Sequence, residues 1–438
     1  MGIKVAKFGG SSLADAEQFK KVRSIVMMDE ERRYIVPSAP GKRHSSDHKI
    51  TDLLYLCQEH AQKGIPFGEI FELISTRYLD IVEGLGLSLD LVPILEDIRE
   101  KILGGYSADY TASRGEYLNG LILAEYLGYE FIDPADIIFF TQSGTYDAQA
   151  TLQAVSQVLS KVERAVIPGF YGSRPDGGIQ TFSRGGSDIT GAIIAQGVKA
   201  DLYENWTDVS GFMMADPRIV NNPKPIKEIT YKELRELAYM GANVLHEEAV
   251  FPVRQAGIPI NIKNTNDPEA PGTLIVPNGD QYHGTGMITG IAGKKGFTVI
   301  SIEKAMMNSE LGFGRKLLSI IETRGISFEH MPSGIDSISL VIADNQLDGK
   351  LDGIIEDINQ QLKPDSVEVT SNMALIATVG HGMARTPGIS GRLFGALGKE
   401  NINVRMIAQG SSEMNIIIGV ENEDFERAIQ TIYYAFVD

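Results

Sequence analysis

The residue pattern with the clearest chemical potential lies near the amino terminus, where Lys-Phe-Gly-Gly-Ser-Ser runs from Lys7 to Ser12. An apolar run precedes it and a helix-like pattern follows, so two glycines stand between a predicted strand and a predicted helix. Such a turn presents backbone N–H groups to an anion, and Lys7 adds a positive charge. The alternative is a tight turn with a solvated lysine. The sequence contains neither a Walker A motif nor the motifs of a protein kinase.

A second glycine pair occurs in Phe182–Asp188, which reads Phe-Ser-Arg-Gly-Gly-Ser-Asp and leads into another predicted helix. Arg184 precedes Gly185 and Gly186, and a guanidinium group matches a carboxylate or a phosphate in shape and charge. Asp188 either caps the helix or binds an ammonium group. Two glycine pairs of this kind indicate a set of ligands with more than one anionic group.

A third group, Asn205–Gly211 followed by Ala215–Arg218, begins at the end of a predicted strand. Open α/β sheets bind ligands at the carboxyl ends of their strands, although the Asp-Pro pair within this group also fits a simple turn. Glu116 is predicted at a helix start, where the helix dipole favours a carboxylate in any case. The histidines show no spacing typical of metal ligands, so the sequence predicts no metal site.

The composition limits the classes of protein that fit. The chain has 438 residues with 40 Lys or Arg and 57 Asp or Glu, a net charge of −17. At about 150 residues per domain we expect two or three domains, and the negative charge argues against nucleic acid or a membrane surface as a partner. The single cysteine, Cys57, excludes an internal disulfide. Because no signal-peptide pattern or membrane-spanning run occurs, we expect a cytoplasmic protein.

Alternating strands and helices must position these residues. The predicted strands are Ile3–Phe8, Arg33–Pro37, Ala165–Gly169, Asp201–Trp206 and Ile258–Lys263. The predicted helices include Ala14–Met28, Asp52–Gln62, Glu116–Leu127, Ala148–Val162 and Ser187–Gln196. This alternation predicts a mainly parallel sheet covered on both faces, with a helical insertion over residues 64–110. Asp176-Gly177-Gly178 predicts a hairpin, and the Pro/Gly-rich residues 277–296 predict a linker.

The sequence repeats itself beyond that linker. Gly312-Phe313 aligns with Gly388-Ile389, and the alignment continues without a gap at an offset of 76 positions. Each copy reads strand, glycine-containing loop, helix, strand, turn, strand, helix. We therefore predict two copies of one βαββα unit, because chance similarity rarely keeps a constant offset over several elements.

Four motifs in this order resemble those of the aspartate kinases, members of the amino-acid-kinase (carbamate-kinase-like) superfamily. They are Lys-Phe-Gly-Gly-Ser-Ser, Ser-Arg-Gly-Gly-Ser-Asp, Trp-Thr-Asp-Val-x-Gly with a later Asp-Pro-Arg, and Gly-Ala-x-Val-Leu-His at 241–246. The tail resembles the paired ACT domains of the monofunctional, lysine-sensitive type. The resemblance implies an α/β fold, with a three-layer αβα amino-acid-kinase domain over residues 1–294. It also implies two ferredoxin-like ACT domains over residues 297–371 and 372–438.

The resemblance implies transfer of the γ-phosphoryl group of ATP, carried with Mg²⁺, to the side-chain carboxylate of L-aspartate. The product is 4-phospho-L-aspartate, the first intermediate on the way to lysine, threonine and methionine. By resemblance the catalytic residues are Lys7, Asp188 and Glu116. The residues implied in ATP binding are Lys7, Gly9, Gly10, Ser11, Thr207, Asp208, Met213, Arg218, Asn243 and Val244. Those implied in aspartate binding are Ser38, Thr51, Glu116, Arg184, Gly185, Gly186 and Ser187.

The resemblance also implies an amino-acid effector, with L-lysine as the first choice and threonine as the alternative, and a homodimer or larger homo-oligomer formed through the ACT domains. The implied effector-binding residues are Met307, Gly312, Phe313, Ser327, Phe328 and Glu329. The sequence departs from the family pattern at Met213, Asn243 and Glu247, where tyrosine, lysine and proline are usual. Two other functions stay open: a related kinase acting on glutamate, acetylglutamate or a nucleotide, and an amino-acid sensor without catalysis.

Overall fold

The computed structural model describes residues 2–183, 185–241, 245, 247–277, 286–384 and 386–437, with the backbone alone at 247 and 248. The chain divides into two compact units. The first comprises Met1–Phe212, Pro225–Tyr231 and Asn243–Gly279. The second comprises Met213–Lys224, Lys232–Ala242 and Asp280–Asp438. The domain limits 1–294, 297–371 and 372–438 stay predictions.

The first unit contains the predicted parallel sheet. Its strands are β1 Lys4–Phe8, β2 Arg32–Pro37, β3 Glu130–Phe131, β4 Ala165–Val166, β5 Tyr171–Ser173, β6 Ile179–Thr181, β7 Leu202–Thr207, β8 Glu228–Thr230, β9 Ile260–Asn264 and β10 Thr273–Val276. The main sheet has the order β3-β4-β2-β1-β7-β9-β10-β8. The first six strands in this order, β3, β4, β2, β1, β7 and β9, are parallel to their neighbours, and β10 is antiparallel to β9. The five predicted strands are confirmed as β1, β2, β4, β7 and β9, and the hairpin is confirmed as β5–β6.

Helices surround this sheet. They are α1 Ala16–Met27, α2 Ile50–Gln62, α3 Gly68–Leu85, α4 Val92–Leu103, α5 Ala108–Leu127, α6 Ala148–Leu159, α7 Gly186–Gly197 and α9 Glu247–Ala256. Helix α8 Tyr231–Tyr239 belongs to the second unit from Lys232 onward. Helix α5 begins earlier than predicted, because the Ser107 side chain accepts a hydrogen bond from the Tyr110 amide at 3.1 Å and caps it. The prediction that Glu116 lies at a helix start is therefore wrong, since Glu116 lies well inside α5.

The second unit contains the repeated tail. Its further elements are β11 Gly290–Glu303, α10 Phe313–Thr323, β12 Ser337–Ala343, α11 Asp344–Leu347, α12 Leu351–Leu362, β13 Ser366–Val379, α13 Ile389–Lys399, β14 Met406–Ala408, β15 Asn415–Glu421 and α14 Phe425–Phe436. The strands form one antiparallel sheet in the order β12-β11-β13-β15-β14. Strands β11 and β13 run across the two predicted domain limits.

The repeat is visible in two hydrophobic cores. Leu317 and Ile342 are buried in one core, and their counterparts Leu393 and Ile418 are buried in the other. Because residues 290–295 of β11 pair with residues 374–379 of β13, we define the second tail half as residues 286–295 and 372–437. The first tail half is residues 296–371. Among the described helices, none has both the length and the apolar character needed to cross a bilayer.

Candidate active site

Lys7 and Asp188 form an ion pair at the carboxyl edge of the central strands. The Lys7 Nζ lies 2.5 Å from the Asp188 Oδ1, and both side chains are largely buried. Adjacent strands β1 and β7 place Lys7 directly opposite Asn205, and the Asn205 Nδ2 donates a hydrogen bond to the same Oδ1 at 2.9 Å. Asp188 also lies in the first turn of α7, where the helix dipole stabilises its negative charge. The fold thus brings two predicted catalytic residues together.

Asn205 is the first residue of the third sequence group, Asn205–Gly211, but neither the sequence nor the family resemblance assigned it a role in the site. The available signal is its spacing of two positions from Thr207, because alternate residues of a strand point to the same face. That spacing becomes informative only when β7 is known to pair with β1.

The turn after β1 packs against the loop that follows β2. The Gly41 N–H donates a hydrogen bond to the Gly10 carbonyl at 2.8 Å, and a side chain at Gly10 would lie 2.8 Å from the Ala39 carbonyl oxygen. The close approach therefore requires glycine at this turn. The Gly9 N–H donates to the Trp206 carbonyl at 2.9 Å. This amide is bonded within the protein, which corrects the expectation that it faces an anion.

Glu116 is buried beside this turn. Burial raises the pKa of its carboxyl group to about 8, against the opposing effects of the Ala39 backbone and the charge of Lys7. The Glu116 Oε2 is buried and has no hydrogen-bond partner among the described residues. A buried polar atom without a partner costs stability. Glu116 is therefore a suitable contact for a polar ligand, and it is mostly protonated at neutral pH in this structure.

Asn119 lies one turn further along α5 and is a second residue that the sequence does not single out. Its Nδ2 donates a hydrogen bond to the Ser38 carbonyl at 2.6 Å. Its Oδ1 is buried without a partner in the part of the chain that the structure describes. The i, i+3 spacing from Glu116 puts the two side chains on one face of α5, so predicted substrate residues Ser38 and Glu116 are brought to the same region.

A buried ion pair holds the loop between β2 and α2. The Arg77 guanidinium lies 2.6 Å from the Asp47 carboxylate and donates to the Gly41 carbonyl at 3.1 Å. Arg43 also contacts Asp47 at 2.9 Å. The hydrogen bond from Arg43, together with the charge of Arg77, holds the pKa of Asp47 well below its usual range. Predicted substrate residue Thr51 is the second residue of α2, directly after this loop.

The second glycine pair forms the start of α7. Gly185 has φ = 58°, a left-handed conformation that favours glycine. A side chain at Gly186 would lie 2.4 Å from the Phe170 ring, so this position also requires glycine. Ser187 is buried in the first turn. Arg184, the predicted carboxylate-binding residue, lies outside the described residues.

The residues predicted on the nucleotide side do not all lie in one unit. Thr207 ends β7, and its hydroxyl donates to the exposed Asp208 at 3.2 Å. Ser11 lies in the short 3-10 turn after β1 and is partly buried. Asn243 and Val244 lie outside the described residues.

Met213 and Arg218 belong to the second unit. Met213 is exposed, and Arg218 forms an exposed ion pair with Asp216 at 2.6 Å. The Glu247 side chain lies outside the described part of the chain. Lys7, Asp188 and the described residues predicted to bind the substrate therefore belong to the first unit, and these two predicted ATP contacts belong to the second.

Comparison with known proteins decides the family. The amino acid kinase family matches residues 2–264, and the ACT domain family matches residues 376–436. The chain is 40% identical to Aspartokinase 3 of Bacillus subtilis over 99% of this chain and 98% of that protein. The chain belongs to the amino acid kinase family and, within it, to the aspartate kinases. This aspartate kinase is therefore an enzyme of the kinase class.

Solved structures of relatives agree with this aspartate kinase in fold. The crystal structure of Clostridium acetobutylicum aspartate kinase matches with a TM-score of 0.95 and 62% identity, over 99% of this chain and 100% of that chain. E. coli aspartokinase III in complex with aspartate and ADP (R-state) matches with a TM-score of 0.72 and 28% identity, over 99% of both chains. The same enzyme in complex with lysine and aspartate (T-state) matches with 0.75 and 27%, over 100% of both chains.

The predicted effector residues of this aspartate kinase divide by burial. Met307 and Phe313 are buried in the core of the first tail half, so their side chains pack there and do not face solvent. Gly312 has φ = 79° and stands at the start of α10, as the prediction of a loop leading into a helix requires.

The other predicted effector residues precede β12. The Ser327 N–H donates to the Gln346 side chain at 2.9 Å, and Phe328 is exposed. The Glu329 carboxylate accepts a hydrogen bond from the Tyr239 hydroxyl. The carboxylate predicted to meet an effector's ammonium group is thus already bonded within the protein.

Proposed function

We propose that this aspartate kinase transfers the γ-phosphoryl group of MgATP to the side-chain carboxylate of L-aspartate, giving 4-phospho-L-aspartate and ADP. The observation that carries the proposal is the buried Lys7–Asp188 ion pair at the strand ends, held by Asn205. The E. coli relative that binds aspartate and ADP supports the choice of ligands. The product would enter the route to lysine, threonine and methionine.

The proposed reaction requires positioning and charge stabilisation rather than a general base. The aspartate side chain, with a pKa of about 4, is already ionised at neutral pH. One of its oxygens attacks the γ-phosphorus while the bond to the bridging oxygen breaks and ADP leaves. The transferring group carries its charge on three equatorial oxygens. Lys7 is the cation that stabilises this charge, and Asp188 and Asn205 keep its ammonium group in place.

The proposed aspartate pocket lies between α5, the loop after β2 and the start of α7. In it Arg184 binds a carboxylate and Glu116 meets the substrate's ammonium group. An incoming ammonium lowers the pKa of a nearby carboxyl group, so Glu116 loses its proton when aspartate binds. The remaining proposed contacts are Ser38, Thr51, Gly185, Gly186 and Ser187.

The proposed nucleotide contacts follow the family pattern, and Mg²⁺ enters as part of the nucleotide substrate. The ATP-binding residues are Lys7, Gly9, Gly10, Ser11, Thr207, Asp208, Met213, Arg218, Asn243 and Val244. Gly9 contributes close packing rather than its amide, because that amide is bonded to Trp206.

Regulation by an amino acid is the second part of the proposal. The tail binds L-lysine, with threonine as the alternative, through Glu329 and the loop that leads into α10. The lysine complex of the E. coli relative supports this choice. Strands β12 and β14 are the edges of the tail sheet, and exposed edges favour pairing with another copy. We therefore propose a homodimer or larger homo-oligomer, in the cytoplasm, without nucleic-acid or membrane partners.

The test of the catalytic proposal is trapping of the acyl phosphate. The purified enzyme is incubated with MgATP, hydroxylamine and one of L-aspartate, L-glutamate or N-acetylglutamate, and the hydroxamate is measured. We expect aspartyl hydroxamate alone. Hydroxamate formed from another acid would identify that acid as the substrate in place of aspartate. Binding of aspartate without formation of any hydroxamate would indicate an amino-acid sensor rather than an enzyme.

A further inference from the structure

Helix α8 carries three side chains that bond to the tail at intervals of three residues. The Glu233 carboxylate accepts hydrogen bonds from the Thr289 hydroxyl and the His381 N–H, both at 2.6 Å. The Glu236 carboxylate accepts from the Asn415 Nδ2 at 2.7 Å. Residues three apart lie on one side of a helix, so this side of α8 is bonded to the second tail half.

Tyr239, at the end of α8, bonds to both tail halves. Its hydroxyl donates to the Glu329 carboxylate in the first half, and the Lys294 ammonium in the second half donates to its backbone carbonyl. The same ammonium lies 5.5 Å from the centre of the Tyr239 ring. Burial and the bond to Glu329 raise the pKa of the Tyr239 hydroxyl to about 12. The hydroxyl therefore keeps its proton at neutral pH and remains a donor to Glu329.

A cavity adjoins this contact. It has a volume of about 690 Å³, and Tyr239, Glu236, His330 and Met331 are among the residues that line it. That volume lies within the range of about 300–1,000 Å³ that is usual for small-molecule sites. A compound the size of an amino acid therefore has room beside Tyr239 and beside His330, the residue that follows Glu329.

We propose that Tyr239 is an internal competitor for Glu329, which an ammonium-bearing effector must displace when it binds. This inference rests on the proposed effector site at Glu329. The effector's ammonium group and the Tyr239 hydroxyl are both donors, and they compete for the same carboxylate. Binding of the effector would therefore release α8 from the first tail half while its bonds to the second half remain.

The direction of the expected effect separates this role from a structural one. Tyr239→Phe removes only the competing donor, so lysine no longer has to break a hydrogen bond. A hydrogen bond to a charged group contributes less where solvent reaches it than where it is buried. Because Tyr239 is half exposed, we expect a fall of about threefold to tenfold in the lysine concentration for half-maximal inhibition. A variant that had merely lost structure would be less sensitive instead.

The experiment titrates lysine, and in parallel threonine, against the full-length wild type, Tyr239→Phe and Tyr434→Phe, measuring hydroxamate formation and heat of binding. Tyr434 has a similar exposure in the same unit and is the matched control, expected to leave the curve unchanged. Uninhibited turnover should be equal in all three. An unshifted or weakened response of Tyr239→Phe, in a wild type that does respond, overturns this inference alone. A wild type that neither binds nor responds to either amino acid overturns the effector site and this inference together.

Discussion

The stability of the first unit in Glu116→Gln, compared with that in the wild type, should increase as pH rises. The same substitution should impair substrate binding. The wild-type carboxyl group has a pKa of about 8 in the folded protein because it is buried, against about 4.3 in an unfolded chain. Between these values the folded state holds a proton that the unfolded state has lost. The contribution of Glu116 to the free energy of unfolding of the wild type therefore decreases as pH rises from 5 to 8. Glutamine does not titrate, so the variant escapes this loss.

The size of the difference follows from the same shift. One proton bound only in the folded state changes the free energy of unfolding by about 1.4 kcal/mol per pH unit. Over three units the stability of Glu116→Gln relative to the wild type should therefore rise by up to about 4 kcal/mol. Every other titrating group is shared by the two proteins, so its contribution cancels in the comparison.

Urea unfolding at pH 5, 6, 7 and 8 measures this difference. The chain has one tryptophan, and Trp206 is buried in β7 of the same unit as Glu116, so its fluorescence reports the unfolding of that unit. A stability difference between the two proteins that stays constant from pH 5 to pH 8 would refute the reasoning. Steady-state kinetics on the same samples should show a higher KM for aspartate, because the neutral amide does not pair with an ammonium group.

Three further substitutions test the roles of single charges. Lys7→Ala removes the cation beside Asp188 and should lower turnover by about 10²–10³; steady-state rates within a few fold of wild type would exclude Lys7 from that role. Arg184→Ala should raise the KM for aspartate and leave the KM for ATP nearly unchanged. A change in the KM for ATP alone would mean that the aspartate and ATP pockets are assigned the wrong way round. Glu329→Ala should weaken inhibition by lysine at least about fivefold, the lower end of typical allosteric coupling, without changing uninhibited turnover, and identical lysine titration curves would remove Glu329 from the effector site.

Several features of this aspartate kinase can be predicted from residues close together in the sequence. The alternation of β1, α1 and β2 follows from apolar periodicity, which depends only on neighbours within a few positions. The tail repeat is visible because Leu317 and Leu393 occupy equivalent core positions at a constant offset. The first residue of a helix is harder to predict, because a single capping residue such as Ser107 determines it. Helix α5 therefore begins before the predicted position.

The amino-acid sequence by itself determined the fold class, the repeat and the motifs that place Lys7 and Asp188 in one family pattern. Only the tertiary structure decided which side chains meet. Asn205 reaches Asp188 because β7 is the neighbour of β1, and Glu116 keeps its proton because the surrounding chain removes it from water. Tyr239 meets Glu329 across a long stretch of sequence. Local periodicity carries no information about such contacts, since they depend on which distant elements become neighbours and on how much water they exclude.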